Sequence, residues 1–174
     1  MSAIAKHPDV SKAVSSALSA PTDIVLLLGQ TQDRWGGSIY AERAAFDVHE
    51  GLDVSIRLLQ GRWESRITIE RDYGDLPLIE AVPGQLNQVF MNLLANACDA
   101  VAERGTIRIE TRRENGELRI AISDDGTGIA AADLDRVFDP FFTTKPQGHG
   151  TGLGLSITHG IVEDHGGRLE VESQ

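Results

Sequence analysis

A glycine-rich loop that runs directly into a helix is the feature of this chain that most restricts its fold. Between Gly148 and Leu155 the sequence reads Gly-His-Gly-Thr-Gly-Leu-Gly-Leu, and an apolar face with helical spacing follows it. The first N–H groups of a helix have no partner within the helix and carry a partial positive charge. A flexible loop that ends there predicts a binding place for an anion such as a phosphate.

A long amphipathic helix is predicted from about Gln85 to Glu103, because apolar residues recur there with helical spacing. Its opposite face carries a polar stripe of Asn92, Asn96 and Asp99 that ends at Glu103. Such a stripe is typical of an ordinary solvated face, but carboxamide oxygens also suit Mg²⁺ together with waters and phosphates. The position of the stripe ahead of two glycine motifs favours the ligand interpretation.

The second glycine motif, Asp-Asp-Gly-Thr-Gly at residues 124–128, follows a predicted strand over 118–122. Asp124 therefore stands at a strand end, where its carboxylate can accept a hydrogen bond from the exocyclic amine of adenine. The two glycines would let the backbone approach the base closely. Taken alone, the motif is equally compatible with an ordinary Asp-Gly turn.

The segment Phe-Asp-Pro-Phe-Phe-Thr-Thr-Lys at residues 138–145 contains three of the five phenylalanines of the chain. Pro140 is incompatible with a core helix at that place. We expect a lid anchored by aromatic side chains, from which Lys145 reaches bound phosphates. A hydrophobic loop that is simply fixed to the domain is the alternative, and the two descriptions are compatible.

The remaining pattern predicts a mixed α/β layer sandwich rather than alternating β-α units. The predicted division lies near residue 46, with an N-terminal helical segment over 1–45 and the main domain over 46–174. Within that first segment we expect helices near Ser11–Leu18 and within 22–34. The further predicted elements are helices over about 46–59 and 152–165, strands at 67–69, 106–111, 118–122 and 169–171, and a tight turn at residues 114–116.

Composition excludes several classes of protein. The net charge of -10 argues against a nucleic-acid partner, and a bound polyanion would need a metal, basic side chains or helix dipoles nearby. The single Cys98 excludes an internal disulfide and fits a reducing, cytoplasmic setting. No signal-peptide pattern or bilayer-spanning apolar run is visible, so we expect no membrane contact by this chain and place any anchor outside it.

Other nucleotide and metal motifs are absent from the sequence. The Gly-x4-Gly-Lys-Ser/Thr string of a P-loop does not occur, and Gly-x-Gly-x-x-Gly fails from Gly126, Gly148 and Gly150. Paired cysteines and His-Glu-x-x-His, which would indicate a zinc site, are also missing.

Four collinear segments over about residues 46–172 resemble the N, G1, F and G2 boxes of the ATP-binding catalytic domain of sensor histidine kinases. That domain belongs to a superfamily shared with gyrase B, MutL and the ninety-kilodalton heat-shock chaperone. The matching strings lie at residues 92–97, 124–128, 138–145 and 150–155. The resemblance implies a Bergerat-type α+β fold, in which about three helices back a mixed sheet and ATP lies beneath a mobile lid.

By this resemblance, Asn96 would ligate Mg²⁺, Asn92 would lie beside the triphosphate, and Asp124 would bind adenine. Lys145 and His149 would hold phosphates together with the amides of the glycine loop. Asn92 and Lys145 are also the residues expected to act in catalysis. The full set expected to contact ATP is Asn92, Asn96, Asp99, Asp124, Gly126, Gly128, Ile129, Phe142, Thr143, Thr144, Lys145, Gly148, His149, Gly150, Thr151, Gly152, Leu153 and Gly154.

The amide at position 92 bears on the kind of reaction. In the ATP-hydrolysing branches of the superfamily a Glu commonly occupies the place of Asn92 and acts as a general base for water. An amide cannot take up a proton at neutral pH. The resemblance therefore implies transfer of the γ-phosphoryl to a histidine, driven mainly by metal and electrostatic stabilisation.

The phosphoacceptor of such kinases is a His followed by an acidic residue and soon by a Pro, on a helical hairpin. His49-Glu50 begins this pattern but lacks the Pro. We therefore expect the acceptor outside this chain, and interpret residues 1–45 as a remnant of the dimerisation hairpin. The last strand that such domains usually have is expected to be missing after Gln174.

The implied cofactors are ATP and Mg²⁺. The implied partners are the phosphoacceptor hairpin of the same protein and a downstream response regulator, with a homodimeric full-length protein. Two alternatives stay open. An ATP-driven conformational clamp is disfavoured by Asn92, and a nucleotide-binding scaffold without phosphotransfer is disfavoured by the intact boxes.

Overall fold

The computed structural model describes residues 3–4, 22–28, 42–146 and 150–173. In this part of the chain, helices lie on one face of a mixed sheet, so the predicted α+β sandwich is confirmed. A single-turn 3₁₀ helix lies at Leu134–Arg136. The strands are β1 (Ala3–Ile4), β2 (Thr22–Leu28), β3 (Ala44–Phe46), β4 (Ile67–Tyr73), β5 (Ile79–Ala81), β6 (Gly105–Glu114), β7 (Glu117–Asp124) and β8 (Arg168–Ser173). The helices are α1 (Val48–Leu58), α2 (Gln60–Trp63), α3 (Pro83–Ala100) and α4 (Gly154–Asp164).

The main sheet has the strand order β1-β8-β2-β7-β6-β4, and β3 pairs with β5 in a separate two-stranded sheet. The β4–β6 pair is parallel, and the other pairs are antiparallel. The predicted tight turn between β6 and β7 is present. Asn115 and Gly116 both have positive φ, at 52° and 86°, as a two-residue hairpin turn that matches the strand twist requires.

Helix α3 is the central helix of the layer, because it packs against α1 on one side and α4 on the other. Its apolar face is fully buried at Leu86, Val89 and Phe90. Its first residues are also fixed by His165, the residue that ends α4. The Val82 N–H donates to His165 Nε2 at 3.1 Å, and His165 Nδ1 lies 2.8 Å from the Ile161 carbonyl oxygen. These contacts hold the start of α3 against the end of α4.

Helix α3 ends at Ala100, three residues before the predicted end at Glu103. Arg66 accounts for this end, because its guanidinium donates to the Cys98 carbonyl at 2.9 Å and also to the carbonyl of Val101. A cation that satisfies the last carbonyls of a helix is a common way to terminate it. Glu103 therefore lies outside the helix and does not extend the polar stripe.

Strand β2 corrects the prediction for the N-terminal segment. The helix expected within 22–34 is wrong for residues 22–28, which pair with β7 along one edge and β8 along the other. A strand with both faces covered is a continuous apolar run, and a short run of that kind has no periodicity that separates strand from helix. Ile24 and Val25 lie on opposite faces, and both are buried.

The main sheet thus includes residues on the N-terminal side of the predicted division at residue 46. The helix expected at 11–18 lies outside the described residues, and the interpretation of residues 1–45 as a hairpin remnant stays a prediction. Among the described helices, none combines the length and apolar character needed to cross a bilayer.

Candidate functional site

A cavity of about 600 Å³ opens between α3, the end of β7 and the loop that leads to α4. Fourteen of the residues predicted to contact ATP line it, although they come from four separate stretches of sequence. They are Asn92, Asn96, Asp99, Asp124, Gly128, Ile129, Phe142, Thr143, Thr144, Lys145, Gly150, Thr151, Gly152 and Gly154. Gly126 and Leu153 are near this cavity in sequence but not among its lining residues, and Gly148 and His149 lie outside the described residues.

The polar stripe of α3 forms one wall of the cavity. Asn92 donates from Nδ2 to the Gly154 carbonyl at 3.2 Å and to the Thr158 hydroxyl at 3.3 Å, so it joins α3 to the first turn of α4. One turn further along α3, Asn96 also lines the cavity, and its Oδ1 accepts a hydrogen bond from Lys145 at 3.2 Å. The two carboxamides therefore differ in role, with Asn92 fixing the wall and Asn96 offering an oxygen to the cavity.

Asp124 lines the cavity from the end of a strand. It is the last residue of β7, only 4% of its surface is exposed, and its Oδ1 accepts a hydrogen bond from the Gly126 N–H at 3.0 Å. A Cβ on Gly126 would lie 2.5 Å from the Ala100 carbonyl carbon. Gly128 has a φ of 70°, which disfavours a side chain. The motif therefore needs glycine at both places to bring a buried carboxylate to the cavity.

The aromatic segment is fixed at its two ends and exposed in the middle. The Phe138 ring centroid lies 5.0 Å from that of His159 on α4, and the Arg136 guanidinium lies 4.4 Å from the Phe142 ring centroid. Phe141 has a φ of 68° and is 74% exposed, while its N–H donates to the Gly152 carbonyl at 2.9 Å. The loop is thus joined to the glycine segment through backbone and ring contacts.

Lys145 reaches from this loop across the cavity to α3. Its Nζ lies 2.8 Å from Asp99 Oδ2 and 3.2 Å from Asn96 Oδ1. The backbone turns tightly beside it, because a Cβ on Gly150 would lie 2.6 Å from the Thr143 hydroxyl. Lys145 therefore lies on the cavity lining, and its contact with bound phosphates stays a prediction.

The cavity contains residues that the motifs did not indicate. Ile24 comes from β2 and Arg62 from the four-residue helix α2, far from any glycine or asparagine motif. Both are placed by tertiary contacts, so no local pattern pointed to them. Cys98 lies beside the stripe but is buried, and burial raises the pKa of its thiol. It acts as a small apolar core residue.

The donor set fits a magnesium ion shared with phosphates. Among the described residues, no group of three or more His, Cys, Asp or Glu could hold a metal by itself. Mg²⁺ keeps several waters and commonly takes few protein ligands beside substrate phosphates. The Asn96 oxygen on the cavity wall is a ligand of that kind, and the start of α4 can receive phosphate oxygens.

His49 is engaged in packing α1 against the sheet. Its Nε2 lies 2.8 Å from the Thr111 hydroxyl, and its ring stacks on Tyr73 with centroids 4.4 Å apart. The Tyr73 hydroxyl donates to Asp53 at 3.1 Å. Burial raises the pKa of Tyr73, and the Asp53 carboxylate raises it further. His49 is therefore part of a structural cluster.

The fold and the cavity together define a nucleotide-binding domain. The family model described as histidine kinase-, DNA gyrase B- and HSP90-like ATPase matches residues 81–174, which is more than half of the chain. This chain belongs to that family, and within it resembles the ATP-binding catalytic domains of histidine kinases. The catalytic domain of histidine kinase ThkA has a TM-score of 0.65 and 28% identity, covering 75% of this chain and 95% of that domain.

Two of the relatives are sensor kinases longer than this chain. Sensor histidine kinase ZraS of Escherichia coli K12 is 41% identical over 132 residues, which cover 75% of this chain and 28% of ZraS. Sensory histidine kinase/phosphatase NtrB of Rhizobium leguminosarum bv. phaseoli is 33% identical over an aligned length of 183, covering 95% of this chain and 47% of NtrB. The chain thus spans about a quarter of ZraS and about half of NtrB.

Proposed function

We propose that this chain binds Mg-ATP and transfers the γ-phosphoryl to a histidine of a separate phosphoacceptor hairpin, as the catalytic part of a two-component sensor histidine kinase. The observation that carries the proposal is the convergence of four distant motifs on one cavity. Each end of that cavity has chemistry suited to one end of ATP. A buried carboxylate lies at one end, and a lysine, a carboxamide and a helix start lie at the other.

At the adenine end, Asp124 would accept a hydrogen bond from the exocyclic amine. The small residues of the Asp-Asp-Gly-Thr-Gly turn leave room for the backbone to lie against the ring. Ile24 and Ile129 provide apolar contact on the cavity lining. An apolar slot with a buried acceptor selects adenine, because a base with a carbonyl in place of the amine would set one acceptor oxygen against another.

At the phosphate end, Asn96 would supply a protein ligand to Mg²⁺, which neutralises charge that builds on the transferring phosphoryl. Lys145 and the amides at the start of α4 would hold the remaining phosphate oxygens. His149 is proposed to contribute as well, from the same glycine loop. Transfer would then depend on alignment and electrostatic stabilisation, which dominate phosphoryl transfer generally.

The contacts of Asn92 disfavour ATP hydrolysis as the main activity. Its side chain donates to Gly154 and Thr158, and a neutral amide cannot accept a proton from water. The carboxylates on the described lining belong to Asp99, which pairs with two cations, and to the buried Asp124. A histidine imidazole is already a nucleophile and needs no strong base, so kinase chemistry suits these residues better than hydrolysis.

The wider assignments follow from the same proposal. The acceptor hairpin would belong to the same protein, the full-length protein would be a homodimer, and a response regulator would receive the phosphoryl group. The domain would act in the cytoplasm, where ATP is available. These assignments extend beyond the portion of the relatives that the chain covers.

Labelled γ-phosphate tests the proposed reaction. The chain is incubated with Mg-ATP, with and without a histidine hairpin taken from NtrB, and protein-bound and free phosphate are counted. We expect acid-labile phosphoprotein only when the hairpin is present. Steady free phosphate without phosphoprotein would overturn the proposal in favour of an ATPase. Nucleotide binding without either product would overturn it in favour of a scaffold.

Asp124→Asn tests the adenine end. We expect ATP affinity to fall by roughly 1–3 kcal/mol, because a buried amine would lose its charged acceptor. Calorimetric titration of wild type and variant measures this loss. Asp125→Asn is the matched control, since Asp125 is adjacent and accepts a hydrogen bond from the Thr106 N–H but does not line the cavity. Equal affinities for wild type and Asp124→Asn would remove the assigned role.

A further inference from the structure

Arg62 lies on the lining of the cavity but belongs to none of the motifs. It is on helix α2, which directly follows α1, and its guanidinium Nη2 lies 2.5 Å from Asp99 Oδ1. The helix is held in place by its neighbours. Trp63 Nε1 donates to the Ile56 carbonyl at 3.4 Å, and the Arg62 carbonyl accepts from Arg66 at 3.2 Å. These contacts hold the backbone of α2, and the half-exposed Arg62 side chain is directed to the cavity by its ion pair with Asp99.

Asp99 bridges two cations that come from opposite sides of the cavity. Its Oδ1 pairs with Arg62, and its Oδ2 lies 2.8 Å from Lys145 Nζ. Two positive charges thus share one carboxylate, which leaves this end of the cavity net positive in a chain whose overall charge is -10. A carboxylate with both oxygens engaged in this way occupies the place that two oxygens of a phosphate group can take.

The chemistry of the two cations is complementary. Lysine is a compact charge, whereas the planar fork of arginine matches two phosphate oxygens at once. Because both contact the same carboxylate, a polyphosphate that reaches Lys145 also comes within reach of Arg62. If phosphate oxygens took the place of the Asp99 carboxylate, the two cations would face several negative charges instead of one.

We propose that Arg62 is a phosphate-binding residue of this site, and that Asp99 is its internal counter-ion, which the polyphosphate of the nucleotide displaces. The inference rests on the proposed function, because it assigns the phosphate end of the same cavity. It adds a cation outside the four motifs and gives Asp99 the role of a competitor of ATP rather than a ligand to it. Discrimination between nucleotides with long and short phosphate chains would then depend on Arg62.

The test compares ATP with adenosine, which has the same base and no phosphate. For Arg62→Ala we expect ATP affinity to fall about 10-fold, as for the loss of a charge-assisted hydrogen bond at a half-exposed site, and adenosine affinity to change less than about 2-fold. Arg57→Ala is the matched control. It removes the same charge from an exposed position at the end of α1, away from the cavity lining, and should leave both affinities unchanged.

Asp99→Asn tests the counter-ion role of Asp99 independently. It should raise ATP affinity several-fold and leave adenosine affinity unchanged, because the competitor of the polyphosphate is removed. A parallel loss of ATP and adenosine binding in Arg62→Ala, or no loss, would overturn the role of Arg62. A fall in ATP affinity for Asp99→Asn would overturn the counter-ion role of Asp99. Failure of the wild type to bind ATP would instead overturn the proposed function, so the two failures are distinguishable.

Discussion

Leu26→Ala is expected to lower the free energy of unfolding by roughly 2–5 kcal/mol, the usual cost of removing a large side chain from a closed core. Leu26 is completely buried in β2, opposite Ile120 on one neighbouring strand and Leu169 on the other. The cavity left by the truncation would lie at the centre of the main sheet, where backbone pairing on both edges limits relaxation. Urea unfolding followed by circular dichroism measures the change.

Leu58→Ala is the matched control, because it is the same substitution at a residue that is 70% exposed. We expect it to change stability by about 0.5 kcal/mol or less. The comparison tests whether residues 22–28 belong to the folded domain. If they did not, Leu26→Ala would behave like Leu58→Ala. The folded domain would then begin near residue 46, as the sequence predicts.

Asn96→Ala is expected to reduce Mg²⁺-dependent phosphotransfer about 100-fold, because it would remove the protein ligand of the ion that neutralises the transferring phosphoryl. Binding of ATP in the presence of a metal chelator should change much less, about 3-fold at most, since only the contact with Lys145 is disturbed. Phosphotransfer to the hairpin and calorimetric titration of ATP, each with and without Mg²⁺, measure these two changes.

Gln88→Ala is the control for this variant, since it removes an exposed carboxamide from the same helix, outside the cavity lining. It should leave both measurements unchanged. Equal losses for Asn96→Ala with and without Mg²⁺ would mean that the side chain acts through Lys145 or through packing. The assignment of the metal ligand would then be withdrawn.

Much of the site could be predicted because the conformation of each motif is determined by residues close to it in sequence. The Asn115-Gly116 pair determines a two-residue hairpin and thereby the path of β7, which ends at Asp124. The glycine loop ends at the start of α4, and the apolar spacing of α3 places Asn92 and Asn96 on the face away from the core. These features depend on neighbours in sequence, so the chain alone indicates them.

The parts that were missed depend on distant neighbours. The sequence predicts a helix in place of β2 because its apolar run has no diagnostic period, and only the two strands on either side determine its conformation. Arg62 was missed because its role depends on a helix of four residues that packs beside α3. The sequence close to β2 and to Arg62 contains no composition, spacing or motif that indicates these positions.

The position of β2 has a consequence for synthesis on the ribosome. Thr22–Leu28 is made before both of its partners, which lie at 118–124 and 168–173. At about 5–20 residues per second, an apolar strand with two unpaired edges waits on the order of 10 seconds or more for both neighbours. The nascent chain therefore cannot complete its main sheet until nearly all of these residues have emerged, and the waiting strand is a natural binding segment for chaperones that recognise extended apolar peptides.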